Sequence, residues 1–487
     1  MKLNEAHNLI LKIESIKKFR KLEWNEFILW PLIRRCLWVL LTSPPPEKKS
    51  ANIKWLETLK TIVKFIYSYF IIKTKLKLRI EPTTTDLIFS RPVYLKKMFD
   101  GSYFDVIADP IMHVCLGKKK IQKIYFGSSK KSKKTAFKSK YIFLASEKKV
   151  GLPTDLVSKL EEISEYANLD KNKFFTEFQV SLNLFLKSYK WMNDLLERHE
   201  NLNRIFVVGW YNPVAMGLIA ASRGKSKTAV DLQHGKQGKY QSMYSGWNYI
   251  TKDNDYLMLP DYFWTWGEKS KSNILNSSLT RKTHLPFVGG FPWIDYYQKK
   301  ILPNLKIRKK NSRLTILVTL QNREGVNIEP IPNFLFEFLE EQQESVYFLF
   351  RCHPNDKNGQ AYCKKRLKSI DIKSYEIISG VSDLYENFLE SDLHVTAYST
   401  CCYEANLFGV RTLLFGEDSK EIYSDEIKEG EFDWIEDDKE KFKLWINNHS
   451  ILKHKNIVKL IPSSYIKSSL FLASEIMNED KKLASID

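Results

Sequence analysis

Cysteine is scarce in this 487-residue chain, and the six that occur (Cys36, Cys115, Cys352, Cys363, Cys401 and Cys402) form no C-x-x-C pair. A disulfide framework or a zinc site needs another spacing, so the thiols read as reduced and the chain as cytoplasmic. No glycine-rich P-loop and no G-x-G-x-x-G occurs, so neither ATP nor NAD is implied and no cofactor is expected. Long apolar runs are also missing. The longest uncharged stretch, Ile205–Ser222, is interrupted by Gly209, Asn212 and Pro213 and reads as strand, loop and helix rather than a membrane span. Met1–Leu22 is polar and charged, unlike a secretory leader. Acidic residues fall short of basic ones, 57 against 76, which leaves a net charge of +19. Such a balance favours a polyanionic neighbour: nucleic acid, an acidic lipid surface or a phosphate-bearing substrate. The lysine-rich run Lys118–Lys140 has no RNP-type aromatics, helix-turn-helix pattern or zinc finger with it, so nucleic acid is not the expected partner. Hydrophobic residues at 43% and aromatics at 13% provide for a sizeable core, which excludes a disordered or fibrous chain.

The length accommodates about three domains, or two large α/β units with an extension. Residues 1–82 are expected to form N-terminal amphipathic helices. Trp24–Leu41 and Trp55–Ile72 are aromatic-rich and apolar, with Pro44, Pro45 and Pro46 between them. In the second stretch Leu56, Leu59, Val63, Ile66 and Phe70 recur at helical spacing among lysines. Two readings stand: the helices lie in a membrane interface with lysines at anionic headgroups, or they pack on the domain behind them.

From Asp86 onward short apolar runs alternate with amphipathic stretches. The candidate strands are Asp86–Ser90, Lys123–Phe126, Tyr141–Ala145, Ile205–Val208 and Thr228–Leu232, with a long helix at Phe174–His199. After a crossing segment within Val288–Asn311 come Leu314–Leu320, Val346–Arg351, Glu376–Ile378, Leu393–Thr396 and Thr412–Phe415. Strands separated by helices predict parallel sheets, here two Rossmann-like domains at 83–300 and 301–450 that face across a cleft. A C-terminal helix is expected within 451–487, where Tyr465–Met477 has the pattern.

Polar residues that directly follow strands are the candidate site. In the second half VYFLFR runs into Cys352–His353–Pro354, with Pro354 fixing the turn, so that Arg351 and His353 are placed to face a phosphate. The strand LHVT leads to Tyr398–Ser399–Thr400 at the start of a helix, an anion-binding arrangement. Glu404, one turn inside, is placed to take the hydroxyls of a ribose. In the first half TAVDL leads into Gln233–His234–Gly235, where Gly235 allows a tight backbone and the His234 imidazole accepts a proton from an attacking hydroxyl. Asp231 is a second candidate base or an orienting partner for that ring. Gly209–Trp210–Tyr211–Asn212–Pro213, at the end of another strand, form a candidate acceptor surface with Gln233 and Gly235 also facing the cleft, and Gly289 and Gly290 lie at the hinge.

The order D-L-Q-H-G, P-D-Y-F-W-T-W-G, V-G-G-F-P, R-x-H-P and Y-S-T-x-x-x-E-A, over Phe206–Phe415, resembles bacterial surface-polysaccharide glycosyltransferases of the GT-B fold. The H-P element and the Ser/Thr pair resemble those of polysialyl- and Kdo-transferases, which use CMP-sugars. They also resemble teichoic-acid polyol-phosphate polymerases, in which an H-G histidine like His234 is a proposed base. Thr396–Ala397–Tyr398–Ser399–Thr400 replaces the D-Y-S-S of the polymerases and Gln233 replaces a Trp, so sugar transfer is favoured over polyol transfer. The resemblance implies transfer of a sugar from a nucleotide donor to a lipid-linked capsule or O-antigen glycan at the inner membrane surface. It also implies that cationic and hydroxyl groups do the work of a metal. UDP-sugar 2-epimerases share the scaffold, and an isomerase or a non-catalytic polyanion binder are the alternatives. The D-x-D at Asp253–Asn254–Asp255 sits in a polar, loop-like region and reads as a decoy, so no metal site is expected.

Overall fold

The computed structural model describes residues 1–42, 80–98, 102–114, 121–126, 139–142, 151–250, 256–275, 284–304, 313–321, 329–341, 346–354, 356, 358–380 and 382–450. The chain divides into two compact units between Lys300 and Ile301. Trp55–Ile72, the D-x-D and the C-terminal helical pattern lie outside the described residues.

The first unit opens with the helix Leu3–Ser15, a hairpin of β1 (Glu23–Trp24) and β2 (Phe27–Ile28), and the helix Trp30–Thr42. Its sheet takes β3 (Asp86–Ser90), then β6 (Ile121–Phe126) and β7 (Ser139–Ile142) after a second hairpin, β4 (Leu95–Lys97) with β5 (Tyr103–Asp105). β8 (Arg204–Val208), β9 (Thr228–Leu232), β10 (Tyr262–Thr265) and β11 (Leu285–Val288) complete it. All neighbours are parallel, in the order β7-β6-β3-β8-β9-β10-β11. The second unit holds β12 (Leu314–Thr319), β13 (Val346–Arg351), β14 (Tyr375–Ile378), β15 (Leu393–Thr396), β16 (Arg411–Phe415) and β17 (Asp433–Ile435), parallel in the order β14-β13-β12-β15-β16-β17. Every residue of β3 (DLIFS) and of β12 (LTILVT) is buried, as strands covered on both faces by helices must be. Each unit builds its own core. The α/β reading with two parallel sheets therefore holds.

Ile205–Ser222 is strand, turn and helix. The helix Pro213–Gly224 crosses the long helix Lys171–Arg198 so closely that a Cβ on Gly217 would lie 2.0 Å from Ser188 Oγ and 2.4 Å from the Phe185 carbonyl. Two edge strands were not anticipated. β11 (LPFV) carries Pro286, which an edge position tolerates because no ladder bond is lost, and β17 is three half-buried residues.

For Trp24–Leu41 the structure takes the second of the two readings, packing on protein. Trp30, Leu32, Ile33, Cys36 and Leu37 have no solvent exposure and pack in the first unit's core. The apolar face of Trp24–Leu41 is thus taken up by protein. No helix among the described residues is long and apolar enough to cross a membrane.

In the second sheet His394 is sealed between hydroxyls on neighbouring strands, with Thr319 Oγ1 2.9 Å from Nε2 and Thr412 Oγ1 3.0 Å from Nδ1. Burial lowers its pKa to about 3. The neutral ring therefore contributes stability that is complete above about pH 6.5 and is lost as the pH falls through the folded value. Denaturant titrations from pH 7 to pH 3.5 should show wild type losing a few kcal/mol more than His394→Gln, at about 1.4 kcal/mol per pH unit. Parallel curves for the two proteins would contradict this.

Candidate functional site

Counted along the chain, the first sheet runs 3-2-1-4-5-6-7 and the second 3-2-1-4-5-6. In such sheets the chain reverses direction between strands 1 and 4, and ligands bind outside the carboxyl ends there. The reversal falls between β3 and β8 in the first unit and between β12 and β15 in the second. The candidate residues cluster near both.

In the first unit His234 follows β9 with its ring half-buried and Nε2 3.2 Å from the Tyr211 hydroxyl. Tyr94, just past β3, meets the ring edge-on at 5.8 Å. Gly209 takes a left-handed conformation (φ +79°) directly beneath it, where a Cβ would lie 3.3 Å from His234 Cε1. Burial lowers the His234 pKa to about 4, opposed by the Leu232 carbonyl and reinforced by the Arg91 charge. The imidazole is therefore neutral near pH 7.

Asp231 is fully buried, and its Oδ1 accepts from the Gly209 amide at 3.1 Å and the Trp210 amide at 2.9 Å. Burial lifts its carboxyl to about 7, against the pull of the Trp210 amide, the Tyr244 hydroxyl and the Gly209 amide. Its oxygen is committed to the turn that carries Gly209, so it braces the floor under His234 and is not placed as a base.

Several other expectations are corrected here. Gln233 is buried, donating to the Gly235 carbonyl (2.8 Å) and Ser270 Oγ (3.0 Å) and accepting from the Trp266 amide (2.6 Å). It brackets the histidine turn and presents nothing to an acceptor. A Cβ on Gly235 would meet nothing within 4 Å and its φ is not left-handed, so no tight backbone requires glycine there. Trp210 is a core residue packed on Trp247 at 5.7 Å. Asn212 caps the helix Pro213–Gly224 by accepting from the Val214 amide at 2.9 Å. A Cβ on Gly289 would lie 2.1 Å from the Trp264 ring, and the Gly290 carbonyl accepts from Trp264 Nε1 at 3.0 Å, so both glycines serve the packing of that indole.

In the second unit Arg351, at the end of β13, is 8% exposed with both terminal nitrogens engaged. Nη1 donates to Ser382 Oγ (2.6 Å), Asn387 Oδ1 (2.9 Å) and the Ser379 carbonyl (3.4 Å). Nη2 donates to the Gly380 (2.7 Å) and Ser382 (2.9 Å) carbonyls. Arg351 thus ties down the loop after β14 and is not free to grip a phosphate. That loop in turn abuts His353–Pro354: a Cβ on Gly380 would lie 2.4 Å from the Cys352 carbonyl and 2.6 Å from Pro354 N. His353 is half-buried and its pKa is lowered by burial and by Arg351, against the pull of Asp356. Glu404 accepts from the buried Tyr385 hydroxyl at 2.6 Å, and its charge is among those that oppose the lowering of the Arg351 pKa by burial. Ser399 Oγ accepts from the Cys401 amide at 3.3 Å, whereas exposed Thr400 makes no side-chain cap bond. The Tyr398 carbonyl accepts from Tyr423. Arg351, Glu404 and Cys401 are within electrostatic reach of one another, so strand end and helix start form one cluster.

Arg91, Tyr94 and Tyr244 escaped the sequence reading, whereas Tyr211 belongs to the expected acceptor surface. Arg91 is exposed immediately after β3, and its charge is felt at Tyr94, Tyr211 and His234. Its signal is its position after strand 1, which emerges only once strand order is known.

Two substitutions separate bracing from binding roles. Arg351→Met leaves several loop acceptors unpaired and should cost about 3 kcal/mol in denaturant unfolding of the second unit; unchanged stability with lost ligand affinity would make Arg351 a ligand group after all. For Asp231, a raised folded pKa means stability that is complete below about pH 4 and is lost as the pH rises to about 7. Asp231→Asn should therefore gain on wild type across that interval and keep a constant advantage above it.

No family model and no curated protein sequence matches the chain. Solved structures do match. A Listeria monocytogenes protein assigned as a UDP-N-acetylglucosamine 2-epimerase aligns with TM-score 0.50 and 15% identity over 83% of this chain and 98% of its own. S. aureus MnaA in complex with UDP aligns with TM-score 0.50 and 14% identity, over 83% and 98%. The UDP-GlcNAc 2-epimerase of Neisseria meningitidis bound to UDP-GlcNAc gives 0.50 and 14%, over 82% and 99%. At such identities the likeness speaks for the fold, and with the strand orders above it gives this chain a GT-B-type α/β fold of two parallel-sheet units.

Proposed function

We propose that this chain is a glycosyltransferase that moves a sugar from a nucleotide-activated donor, a CMP-sugar for preference, to a hydroxyl of a growing bacterial capsule or O-antigen glycan. The observation that carries the reading is His234: a neutral imidazole at the carboxyl ends of the first sheet, walled by Tyr94 and Tyr211 beside the exposed Arg91. In this scheme His234 accepts the proton of the acceptor hydroxyl as its oxygen bonds to the anomeric carbon. The bond from that carbon to the nucleotide phosphate oxygen breaks, and the phosphate leaves with the electron pair. His353, Ser399 and Thr400 of the second unit meet the charge on that phosphate, and Glu404, oriented by Tyr385, takes the ribose hydroxyls. The scheme uses no resident metal. It places the protein at the inner face of the cytoplasmic membrane near a lipid-linked acceptor, with the net charge of +19 favouring the anionic surface.

The fold neighbours support a second reading, a UDP-sugar 2-epimerase-like isomerase. Calorimetric titration of CMP, CDP and UDP, then transfer assays with the matching sugar donors, decides between them. One nucleotide should bind selectively, and EDTA should leave transfer unchanged. His353→Ala should abolish turnover and weaken nucleotide binding about tenfold or more, at a cost near 1.4 kcal/mol or above. His234→Ala should cost about 10²-fold or more in turnover while sparing nucleotide affinity. Normal transfer by both variants would refute the scheme. Conversion of a UDP-sugar without acceptor would establish the isomerase, and salt-sensitive DNA binding without nucleotide selectivity a polyanion binder.

A further inference from the structure

The N-terminal helices are spent on one loop of the first unit, the segment after His234 that includes Tyr240–Trp247. Arg34, with no solvent exposure, donates Nε to the Ser242 carbonyl (2.8 Å), Nη2 to that of Ser245 (2.6 Å), and Nη1 to that of Gly246 (3.1 Å) and to Glu14 Oε2 (2.8 Å). Its plane lies over the Trp247 ring at 4.1 Å. Glu14, equally buried, also accepts from Trp30 Nε1 at 3.0 Å. His7 Nδ1 lies 2.9 Å from Ser242 Oγ. Gly246 is left-handed (φ +75°), and a Cβ there would come within 2.7 Å of Leu11 Cδ2 and 2.9 Å of His7 Cε1, so helix and loop interlock. A buried ion pair adds little stability over a well-packed apolar pair. A guanidinium supplies what no apolar residue can, a fixed fork that gathers three carbonyls of one loop.

That loop carries Tyr244 into the floor of the site. Tyr244 is 2% exposed and meets Tyr211 edge-on at 5.9 Å and Phe263 at 5.9 Å. Burial and the neighbouring Asp231 raise its hydroxyl well above the ordinary range. Tyr211 reaches His234 Nε2, and Asp231 holds the turn that sets Gly209 beneath the ring. One of the surfaces around His234, the Tyr211 ring, is therefore braced by Tyr244, which also lies close enough to Asp231 to feel its charge.

We propose that Arg34 is a positioning residue for His234, acting through the Ser242–Gly246 loop and Tyr244, so that the N-terminal helices are a working part of the site. This rests on the reading of His234 as the group that handles the acceptor proton. Loosening the loop should admit water beside the imidazole, which is otherwise faced by Tyr94, Tyr211, Arg91 and Asp231 and by the Leu232 carbonyl.

The test needs no substrate. Full-length protein with isotope-labelled histidine is titrated by NMR, with the His234 resonance identified by its loss in His234→Gln, and amide exchange is followed across residues 239–247. In Arg34→Lys, which keeps a charge for Glu14 but not the fork, His234 should titrate about one unit or more above its wild-type value, towards that of a solvated imidazole. Exchange at Ser242–Trp247 should quicken at least about tenfold, and CMP, CDP and UDP affinities should match wild type. Ser242→Ala, a milder change that removes the His7 contact, should move both readings the same way by less. It decides the matter if Arg34→Lys does not fold. A folded variant with wild-type His234 titration and loop exchange overturns the positioning role. Failure of every nucleotide to bind, with the His234 shift intact, overturns the glycosyltransferase reading instead.

Discussion

A guanidinium without access to water must find an acceptor for nearly every N–H it carries, and backbone carbonyls in loops are the acceptors most often to spare. That constraint organises both units. Arg351 gathers Ser379, Gly380 and Ser382 beside the His353–Pro354 turn, and Arg34 gathers Ser242, Ser245 and Gly246 beyond the His234 turn. A parallel sheet fixes where its strands end but leaves open where the following loops go. Buried arginines supply that second specification. They do so by hydrogen bonding, so the loop conformations are set by geometry more than by apolar packing.

The same burial decides the charge state of the first unit's site. It drives His234 to the neutral ring, raises Tyr94 and Tyr211, and brings Asp231 close to half protonation at pH 7. The exposed Arg91 guanidinium lies nearby. An anionic substrate arriving there meets a cation and a set of neutral donors and acceptors, with the repulsion of the buried Asp231 reduced by its partial protonation. In the second unit the opposite arrangement holds: Glu404 lies within reach of Arg351, and its tyrosine partner sets its orientation.

Much of the architecture was legible because buried parallel strands write themselves as short apolar runs. β3, β13 and β15 have the bounds expected from the apolar runs they contain, and β9 likewise. β11 and β17 were not legible, because edge strands escape that requirement and admit Pro286 and Asp433. Site residues were harder for a different reason. Position after a strand locates a side chain without saying what it is already bound to. Arg351 looked like a phosphate ligand because its acceptors lie some thirty residues further on, and Gln233 looked like a cleft residue because its partners, Ser270 and Trp266, are equally remote in sequence. Arg91 and Tyr94 carry no local pattern and matter because β3 is strand 1 of its sheet, a fact of topology that a linear reading does not contain.

The N-terminal stretch shows the same limit from the other side. Aromatic, apolar helices with interspersed cations suit either an acyl-chain boundary or a protein core, and composition is silent between them. The distinguishing residues are Glu14 and Arg34. A cation meant for headgroups stays at the solvent edge of its helix, whereas Arg34 sits within the apolar face, among Trp30, Ile33 and Leu37 in the buried set. An arginine in that position has to be answered from inside the protein. The carboxylate on the preceding helix and the run of carbonyls after His234 are the answer, which makes the helices inseparable from the loop they hold.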